Sequence, residues 1–278
     1  MKTLRCKNQL LSLANPLVMG ILNCSPESFY SASRLTQKDT FLKQAEIHLT
    51  EGAAFLDVGG QSTRPGAKII GEEAELTRVL PFVELLEQNF PKAKISIDTQ
   101  HAKVAKYAVE AGACLVNDVS GGMFDDAMLQ TVGTLQVPYC MMHMRGTPAT
   151  MQLHTDYENI ISEMLYFFST QITKAREAGI TDIIIDPGFG FAKTKDQNFE
   201  ILKKLSLFSL TNLPILVGLS RKSMIYKTLE ISPEKSLPAT SALHMIALQN
   251  KASILRVHDV KQAQECITLW EHLNNVTI

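Results

Sequence analysis

The chain has 278 residues, of which 45% are hydrophobic and 20% are charged, and its 27 basic and 28 acidic side chains leave a formal net charge of -1. This composition excludes a disordered chain, which would be more polar or more strongly charged, and 15 Gly with 11 Pro exclude a collagen-like chain. The balanced charge gives no general attraction to nucleic acid or to an anionic membrane, so we expect small-molecule partners.

The N-terminal segment needs to be distinguished from a signal peptide. Basic residues precede an apolar stretch at residues 10–22, but Asn15 and Pro16 interrupt that stretch and no small-residue cleavage site follows it. We interpret residues 1–16 as a short lead-in to the first core strand. No apolar run reaches the length of a membrane span.

The cysteines indicate the compartment. They are odd in number and scattered, without a C-x-x-C pair or a nearby histidine at metal-finger spacing: Cys6, Cys24, Cys114, Cys140 and Cys266. This usage is typical of a reducing environment, and we predict a cytoplasmic protein.

A helical stretch, a glycine, a short apolar run and a polar residue follow one another repeatedly. The glycines Gly52, Gly112 and Gly179 each precede such a run, as at a helix end that leads into a buried parallel strand. The pattern predicts strands at residues 17–22, 55–58, 94–97, 114–116, 139–142, 183–185, 215–219 and 254–257. Helical periodicity covers residues 41–50, 73–88, 102–111, 157–178, 197–207 and 261–273.

Eight such strands predict an α/β fold, a (β/α)₈ TIM barrel, in which residues 1–278 form one domain. No Ser-, Gly- or Pro-rich linker marks a domain boundary. The alternative is a doubly wound open sheet, but the first predicted strand lacks the glycine-rich phosphate turn typical of its dinucleotide- and nucleotide-binding members.

Polar side chains follow every predicted strand, where the active sites of such barrels lie. In chain order they are Asn23, Asp57, Asp98, Asn117 with Asp118, His143, Asp186, Arg221 with Lys222, and Arg256 with His258. Any single Asp or Asn is explained more simply as a turn former or helix cap, but the complete ring favours an active site.

The ring contains two chemical kinds of side chain. Asp98, Asn117 and Asp186 can bind a planar heterocycle with adjacent N–H donors, whereas the basic residues suit an anion with several oxygens. The basic residues are Arg64, Lys222, Arg256 and His258. Surface charges would explain Arg256 or His258 equally well if each stood alone, but together with Lys222 they are placed at the ends of strands seven and eight, where barrels commonly bind phosphate.

Other patterns carry less information. Met141 to Met144 fits barrel core and pocket wall better than a metal site, and Phe189 and Phe191 could cover a flat ligand. No Ser/His/Asp arrangement or H-E-x-x-H is present, which disfavours covalent hydrolysis.

Eight segments together identify a family. They are MGILNCSPESF at 19–29, DVGGQSTRPG at 57–66, IDT at 97–99, NDVSG at 117–121, MRGTP at 144–148, DPGFGF at 186–191, SRKS at 220–223 and RVHDV at 256–260. In this order, from about residue 17 to residue 260, they resemble dihydropteroate synthase.

The resemblance implies a transferase that joins 6-hydroxymethyl-7,8-dihydropterin diphosphate to p-aminobenzoate, with 7,8-dihydropteroate and diphosphate as products of this step of folate biosynthesis. It also implies Mg²⁺, a homodimer and a sulfonamide target. Loss of diphosphate would precede attack by the weakly nucleophilic arylamine, in an SN1-like reaction that demands no strong general base.

Site roles follow from motif position. The resemblance implies a pterin pocket of Asp98, Asn117, Met141, Asp186, Phe191 and Lys222. It places Asn23, Thr63, Arg64, Arg256 and His258 at the diphosphate, with Asn23 as a metal ligand, and Phe29, Thr63, Pro65, Lys222 and Ser223 at p-aminobenzoate. The residues expected to act in catalysis are Arg64, Asp98, Asp186, Lys222, Arg256 and His258.

The sequence departs from the family in the loop after the first strand. The family usually has T-P-D-S-F-S-D-G-G there, and this chain has Glu27 and Ser31 at the two acidic positions. Gln61 replaces the usual Glu before S-T-R-P-G. These changes bear on metal geometry and on closure of the p-aminobenzoate site.

Two other functions stay open from the sequence. One is a pterin-binding paralogue with impaired catalysis, which the loss of the acid at Ser31 allows. The other is a methyltetrahydrofolate-type methyltransferase on a related barrel, for which the basic cluster would have no diphosphate to bind.

Overall fold

A parallel sheet of eight strands forms the centre of the computed structural model, which describes residues 3–24, 34–61 and 70–276. The strands are β1 (Thr3–Cys6), β2 (Gln9–Ser12), β3 (Leu17–Asn23), β4 (Phe55–Gly59), β5 (Ile95–Asp98), β6 (Ala113–Asp118), β7 (Tyr139–Met142), β8 (Ile183–Asp186), β9 (Leu216–Val217) and β10 (Ile254–Val257). The order in the large sheet is β8-β7-β6-β5-β4-β3-β10-β9, and a parallel bridge between Ile185 and Ile215 links its two ends. The predicted (β/α)₈ barrel is therefore confirmed.

Helices connect these strands on the outside of the barrel. They are α1 (Arg34–Thr50), α2 (Glu72–Asn89), α3 (Ala102–Glu110), α4 (Met128–Leu135), α5 (Ile160–Glu177), α6 (Lys195–Lys203), α7 (Ser223–Tyr226), α8 (Leu237–Gln249) and α9 (Val260–Asn275). Short 3₁₀ helices lie at Met151–Leu153, Leu205–Thr211 and Pro233–Ser236. All eight predicted core strands and all six predicted helical segments occur in the structure.

The sequence analysis missed α4 and α8. Gly133 lies inside α4 and weakens its helical signal, because glycine is a poor helix former. A Cβ at Gly133 would come within 1.8 Å of the Ala178 carbonyl oxygen. Close packing of α4 against the end of α5 thus requires the residue that obscures the helix in the sequence.

The turns from helix into strand use the predicted glycines. Gly112 has φ of 120° and Gly179 has φ of 89°, a region of backbone conformation that L side chains rarely adopt. The strands that follow these turns, β6 and β8, are buried along their whole length, as expected for a parallel sheet covered on both faces.

The N-terminal lead-in is an antiparallel hairpin that covers the amino-terminal end of the barrel. Leu4 and Cys6 of β1 are 1% exposed and pack with barrel residues such as Phe55 and Leu115. Arg5 donates its backbone N–H to Asp182 Oδ2 at 2.8 Å. With this end of the barrel closed, the functional cleft lies at the opposite, carboxyl end.

Within the described ranges, none of the helices is long and apolar enough to cross a membrane.

Candidate active site

The described part of the barrel has a cleft at the carboxyl ends of its strands. It is lined by Asn117, Val119, Met142, Asp186, Gly188, Phe189, Phe191, Gly218, Lys222 and Arg256. Polar groups and hydrophobic side chains thus face the same space, as in most sites for small organic ligands.

Arg256 occupies the centre of the polar side of this cleft. Its Nε donates to Asp57 Oδ2 at 2.6 Å, and its Nη2 donates to Asp98 Oδ2 at 2.6 Å. Asn117 Nδ2 also donates to Asp57 Oδ2, at 3.2 Å. These bonds join four strands, β4, β5, β6 and β10, and fix the guanidinium, because each acceptor is buried.

The site balances burial against opposite charge. Burial raises the pKa of Asp98 to about 7, and the positive charge of Arg256 opposes that rise. Burial by itself lowers the pKa of Arg256, but the charges of Asp57 and Asp98 outweigh it and raise the pKa overall. Arg256 therefore stays cationic, whereas Asp98 changes protonation near neutral pH.

Asp186 and Lys222 form the other polar side of the cleft. Asp186 Oδ1 accepts the backbone N–H of Gly188 at 2.7 Å, and burial raises the pKa of this carboxyl. Lys222 Nζ lies 4.5 Å from the centre of the Phe191 ring. Burial and the charge of Arg256 lower the pKa of Lys222 to about 8, against the attraction of Asp186.

His258 follows β10 beside Arg256 and is open to solvent on one side. Its Nδ1 lies 3.2 Å from Ser220 Oγ, which in turn accepts the His258 backbone N–H at 3.2 Å. Desolvation and the positive charge of Arg256 lower the pKa of His258 to about 4. In the free protein at pH 7 this imidazole is therefore neutral.

The structure brings together most of the predicted pocket residues that it describes. Asp98, Asn117, Asp186, Phe191, Lys222 and Arg256 surround or adjoin the cleft. Ser223, the first residue of α7, follows Lys222 directly. Asn23 ends β3 with an exposed side chain at the same end of the barrel.

The structure corrects the prediction that Met141 lines the pterin pocket. Met141 is fully buried in the main hydrophobic core, and Met142 lines the cleft instead. Successive side chains of a strand point to opposite faces, so an error of one residue in register moves the assignment to the wrong side of the sheet.

Several predicted residues lie outside the described ranges. They are Phe29, Thr63, Arg64 and Pro65, and the altered loop positions Glu27 and Ser31 also fall there. Gln61, the remaining departure, is described, and its buried Oε1 has no hydrogen-bond partner among the described residues.

Sequence analysis missed three residues that shape the site. Asp57 was noted at a strand end but received no role, although it holds both Arg256 and Asn117. Ser220 and Lys193 received none either. Lys193 is 3% exposed, and it lies two residues beyond the motif DPGFGF, where no local pattern indicates a buried lysine.

Asn23 suits a magnesium ion chemically. Mg²⁺ prefers oxygen ligands and commonly binds through one or two protein side chains together with substrate phosphates. The amide oxygen of Asn23 is such a ligand, and it lies at the end of the barrel where the basic residues could hold phosphate.

A second group of potential ligands lies farther out, where Glu72, His101 and Asp125 approach one another within 4.8 Å. Asp125 Oδ2 already accepts the Ala102 N–H at 2.7 Å, and Glu72 Oε1 is 3.7 Å from Lys103 Nζ. These contacts explain the cluster as structural.

Comparison with known proteins gives concordant matches. The family model described as pterin binding enzyme matches residues 19–258. The dihydropteroate synthase of Escherichia coli (strain K12) is 39% identical over 263 residues, 94% of this chain and 93% of the relative. That of Synechocystis sp. is 44% identical over 253 residues, 90% of this chain and 87% of the relative.

Solved structures give the same result. The Yersinia pestis dihydropteroate synthase with a sulfonamide drug complex has a TM-score of 0.93 and 37% identity, covering 99% of this chain and 100% of the other. The Xanthomonas albilineans dihydropteroate synthase with 4-aminobenzoic acid has a TM-score of 0.92 and 36% identity, covering 99% of each chain. The altered loop therefore coexists with a barrel that matches these structures over nearly its whole length.

Proposed function

This chain belongs to the dihydropteroate synthase family of pterin-binding enzymes, and from that premise we propose that its cleft condenses 6-hydroxymethyl-7,8-dihydropterin diphosphate with p-aminobenzoate. The products are 7,8-dihydropteroate and diphosphate. The observation that carries the proposal is the cleft itself, where acidic and amide groups lie together with the cations Arg256 and Lys222.

The pterin ring occupies the inner part of this cleft. Asp98, Asn117 and Asp186 offer acceptors to the ring's N–H groups, with Asn117 also able to donate. Phe191 and Met142 supply hydrophobic faces for the flat ring, and the Lys222 ammonium lies over Phe191.

The diphosphate lies at the outer, basic end. Arg256 faces the leaving group with its guanidinium already oriented by two carboxylates, so little reorganisation is needed as negative charge grows there. His258 is neutral before the substrate binds and donates an N–H to a phosphate oxygen. Thr63 and Arg64 complete this end by their place in the family motif.

Asn23 would hold Mg²⁺ against the same diphosphate. When bound there, the ion neutralises phosphate charge as a Lewis acid. Orientation of the substrate and stabilisation of the other charges are provided by residues of this chain. Asn23 orients the phosphate end, and Arg256 stabilises charge on the bridging oxygen as the bond to the pterin methylene breaks.

Bond cleavage leaves a carbocation delocalised into the pterin ring. Asp98 and Asp186 favour this cation electrostatically, because both carboxyl groups lie beside the ring in a buried site. The neutral arylamine then attacks the methylene carbon and loses a proton to solvent or to released diphosphate, so no strong protein base is required.

p-Aminobenzoate approaches from the outer side of the pterin pocket. Lys222 and Ser223 at the start of α7 contribute there, and Phe29, Thr63 and Pro65 contribute by motif position. We also propose that sulfonamides bind this chain, because the Yersinia pestis relative has been solved in complex with such a drug.

The remaining proposals concern the protein as a whole. We propose that residues 1–278 form one catalytic domain, because the barrel uses strands from residue 17 to residue 257. The homodimer is proposed from family membership. A cytoplasmic location is supported by the five cysteines, all of which are free and buried.

The test is formation of 7,8-dihydropteroate by the purified protein with both substrates and Mg²⁺. We expect product and diphosphate in equal amounts and no product when p-aminobenzoate is omitted. Tight pterin binding without product would support the impaired paralogue. A binding affinity for dihydropterin diphosphate that does not change with Mg²⁺ would favour the methyltransferase.

A further inference from the structure

Lys193 is a buried cation whose contacts are not carboxylates. Its Nζ donates to the carbonyl oxygens of Phe191 at 2.8 Å, Gly188 at 3.0 Å and His143 at 3.2 Å. A fourth contact reaches His143 Nδ1 at 3.1 Å. An ammonium group has three hydrogens, so this arrangement uses its full donor capacity on backbone and ring acceptors.

These acceptors belong to two separate strand exits. Gly188 and Phe191 lie in residues 187–194, the loop after β8, whereas His143 directly follows β7. The Lys193 side chain therefore connects the loop to the neighbouring strand and also closes the loop on itself. Both connections lie behind the wall of the cleft that Gly188 and Phe191 form.

The loop has a backbone shape that requires such support. Gly188 and Gly190 have φ values of 69° and 83°, and Ala192, which carries a Cβ, has φ of 49°. Tyr157 donates its hydroxyl to the Ala192 carbonyl at 3.0 Å, and Asn198 Oδ1 accepts the Gly190 N–H at 2.7 Å. Lys193 is the member of this network that binds the carbonyls of both Gly188 and Phe191 and also reaches His143 beyond the loop.

Burial of an amine among carbonyl groups has a cost. Burial lowers the pKa of Lys193 to about 7, the charge of Asp186 opposes this effect, and those of Lys222 and Arg145 add to it. His143 also has a lowered pKa because it is buried, and its neutral Nδ1 can accept from the amine. A methionine would fill the same volume without this cost, but the buried carbonyls of His143 and Phe191 would lose the Lys193 donor. The Gly188 carbonyl would keep only its bond from the Phe191 N–H at 3.1 Å.

We propose, resting on the proposed function, that Lys193 is a positioning residue that holds residues 188–191 so that Phe191 forms a fixed wall against one face of the pterin ring. The ammonium acts through the loop and does not touch the substrate. Its contribution is specific to the pterin, because p-aminobenzoate binds on the outer side, near Ser223.

The variant Lys193→Met tests this role, with Lys195→Met as the matched control, because Lys195 is exposed at the start of α6. Affinity for dihydropterin diphosphate is measured by calorimetry, and hydrogen exchange of residues 187–194 is followed by mass spectrometry. For Lys193→Met we expect at least tenfold weaker pterin binding and faster exchange confined to this loop. The KM for p-aminobenzoate should stay within twofold, and Lys195→Met should match the wild type.

Pterin affinity of Lys193→Met within twofold of the wild type would overturn the proposal. If that variant does not fold, Lys193→Gln, which keeps N–H donors on a shorter arm, takes its place; three- to tenfold weaker binding supports the role and unchanged binding overturns it. A wild-type protein that fails to bind the pterin would instead refute the proposed function, and with it this inference.

Discussion

Arg256 and Asp98 are joined by a 2.6 Å hydrogen bond from guanidinium Nη2 to carboxylate Oδ2, although 158 residues separate them in the chain. Asp57 holds the guanidinium from the other side through Nε at 2.6 Å. In the proposed function, the cation that faces the diphosphate is thus oriented by a carboxylate that itself faces the pterin. This pairing couples recognition of the ring to stabilisation of the leaving group.

Replacement of Arg256 by lysine tests the oriented guanidinium. Arg256→Lys keeps a positive charge beside the buried Asp57 but cannot donate to both carboxylates and to phosphate in one plane. We expect the single-turnover rate of diphosphate release to fall about 100-fold, comparable to the loss of one oriented oxyanion donor. Pterin affinity measured by calorimetry should fall less than tenfold; equal losses in both quantities would contradict the assigned role.

Ionisation of Asp98 predicts how pterin binding depends on pH. The pKa of about 7 means that the carboxylate acceptor forms as pH rises through neutrality. We expect pterin affinity to increase about tenfold from pH 6 to pH 8, as the ionised fraction of Asp98 increases. In Asp98→Asn binding should be weak throughout, with no step near pH 7. A step of the same size in this variant would assign the titration to another group.

Ionisation of Asp98 is expected to strengthen pterin binding but to lower the stability of the folded protein. Its folded-state pKa is raised above the ordinary value of 3.8, so the folded protein binds the proton more tightly than the unfolded chain. This contribution is fully present below the unfolded pKa and is lost as pH rises through about 7. The free energy of unfolding of the wild type, measured in urea, should therefore decline between pH 4 and pH 7. Asp98→Asn should remove the part of this decline that is due to Asp98.

A matched pair of methionine variants tests the corrected assignment of the hydrophobic wall. Met142 lines the cleft, whereas Met141 packs in the core on the other face of β7. Met142→Ala should weaken pterin binding about three- to tenfold. Met141→Ala should lower the free energy of unfolding by about 2–5 kcal/mol with pterin affinity unchanged. The reverse outcome in calorimetry and urea titration would restore Met141 as the pocket residue.

His258 is expected to act as a neutral donor. Its pKa near 4 in the free protein should be visible as a ring-carbon titration below pH 5 by NMR, and diphosphate binding should raise that pKa. His258→Gln keeps an N–H donor and should retain a single-turnover rate within about tenfold, whereas His258→Ala should lose about 100-fold. Equal losses in the two variants would show that a cationic imidazole is needed.

The sequence predicted the architecture well because parallel strands, glycine turns and polar strand ends are local patterns. It predicted Asp98, Asn117, Asp186 and Lys222 as neighbours because strand ends meet at one end of a barrel. It could not assign Met142 over Met141, since a two-residue apolar run does not reveal which side chain faces inward. Lys193 was missed for a similar reason, because nothing in its local sequence shows that a lysine is buried.

The dissociative reaction is the central claim, and it is tested most directly by how turnover depends on the basicity of the arylamine. Single-turnover rates would be measured at saturation with 4-aminobenzoates that carry ring substituents of differing electron demand, so that the carboxylate is kept and the amine pKa varies. Departure of diphosphate ahead of attack predicts a rate that is nearly constant across the series. A rate that rises steeply with amine basicity would contradict this account, because the nucleophile would then take part in breaking the bond.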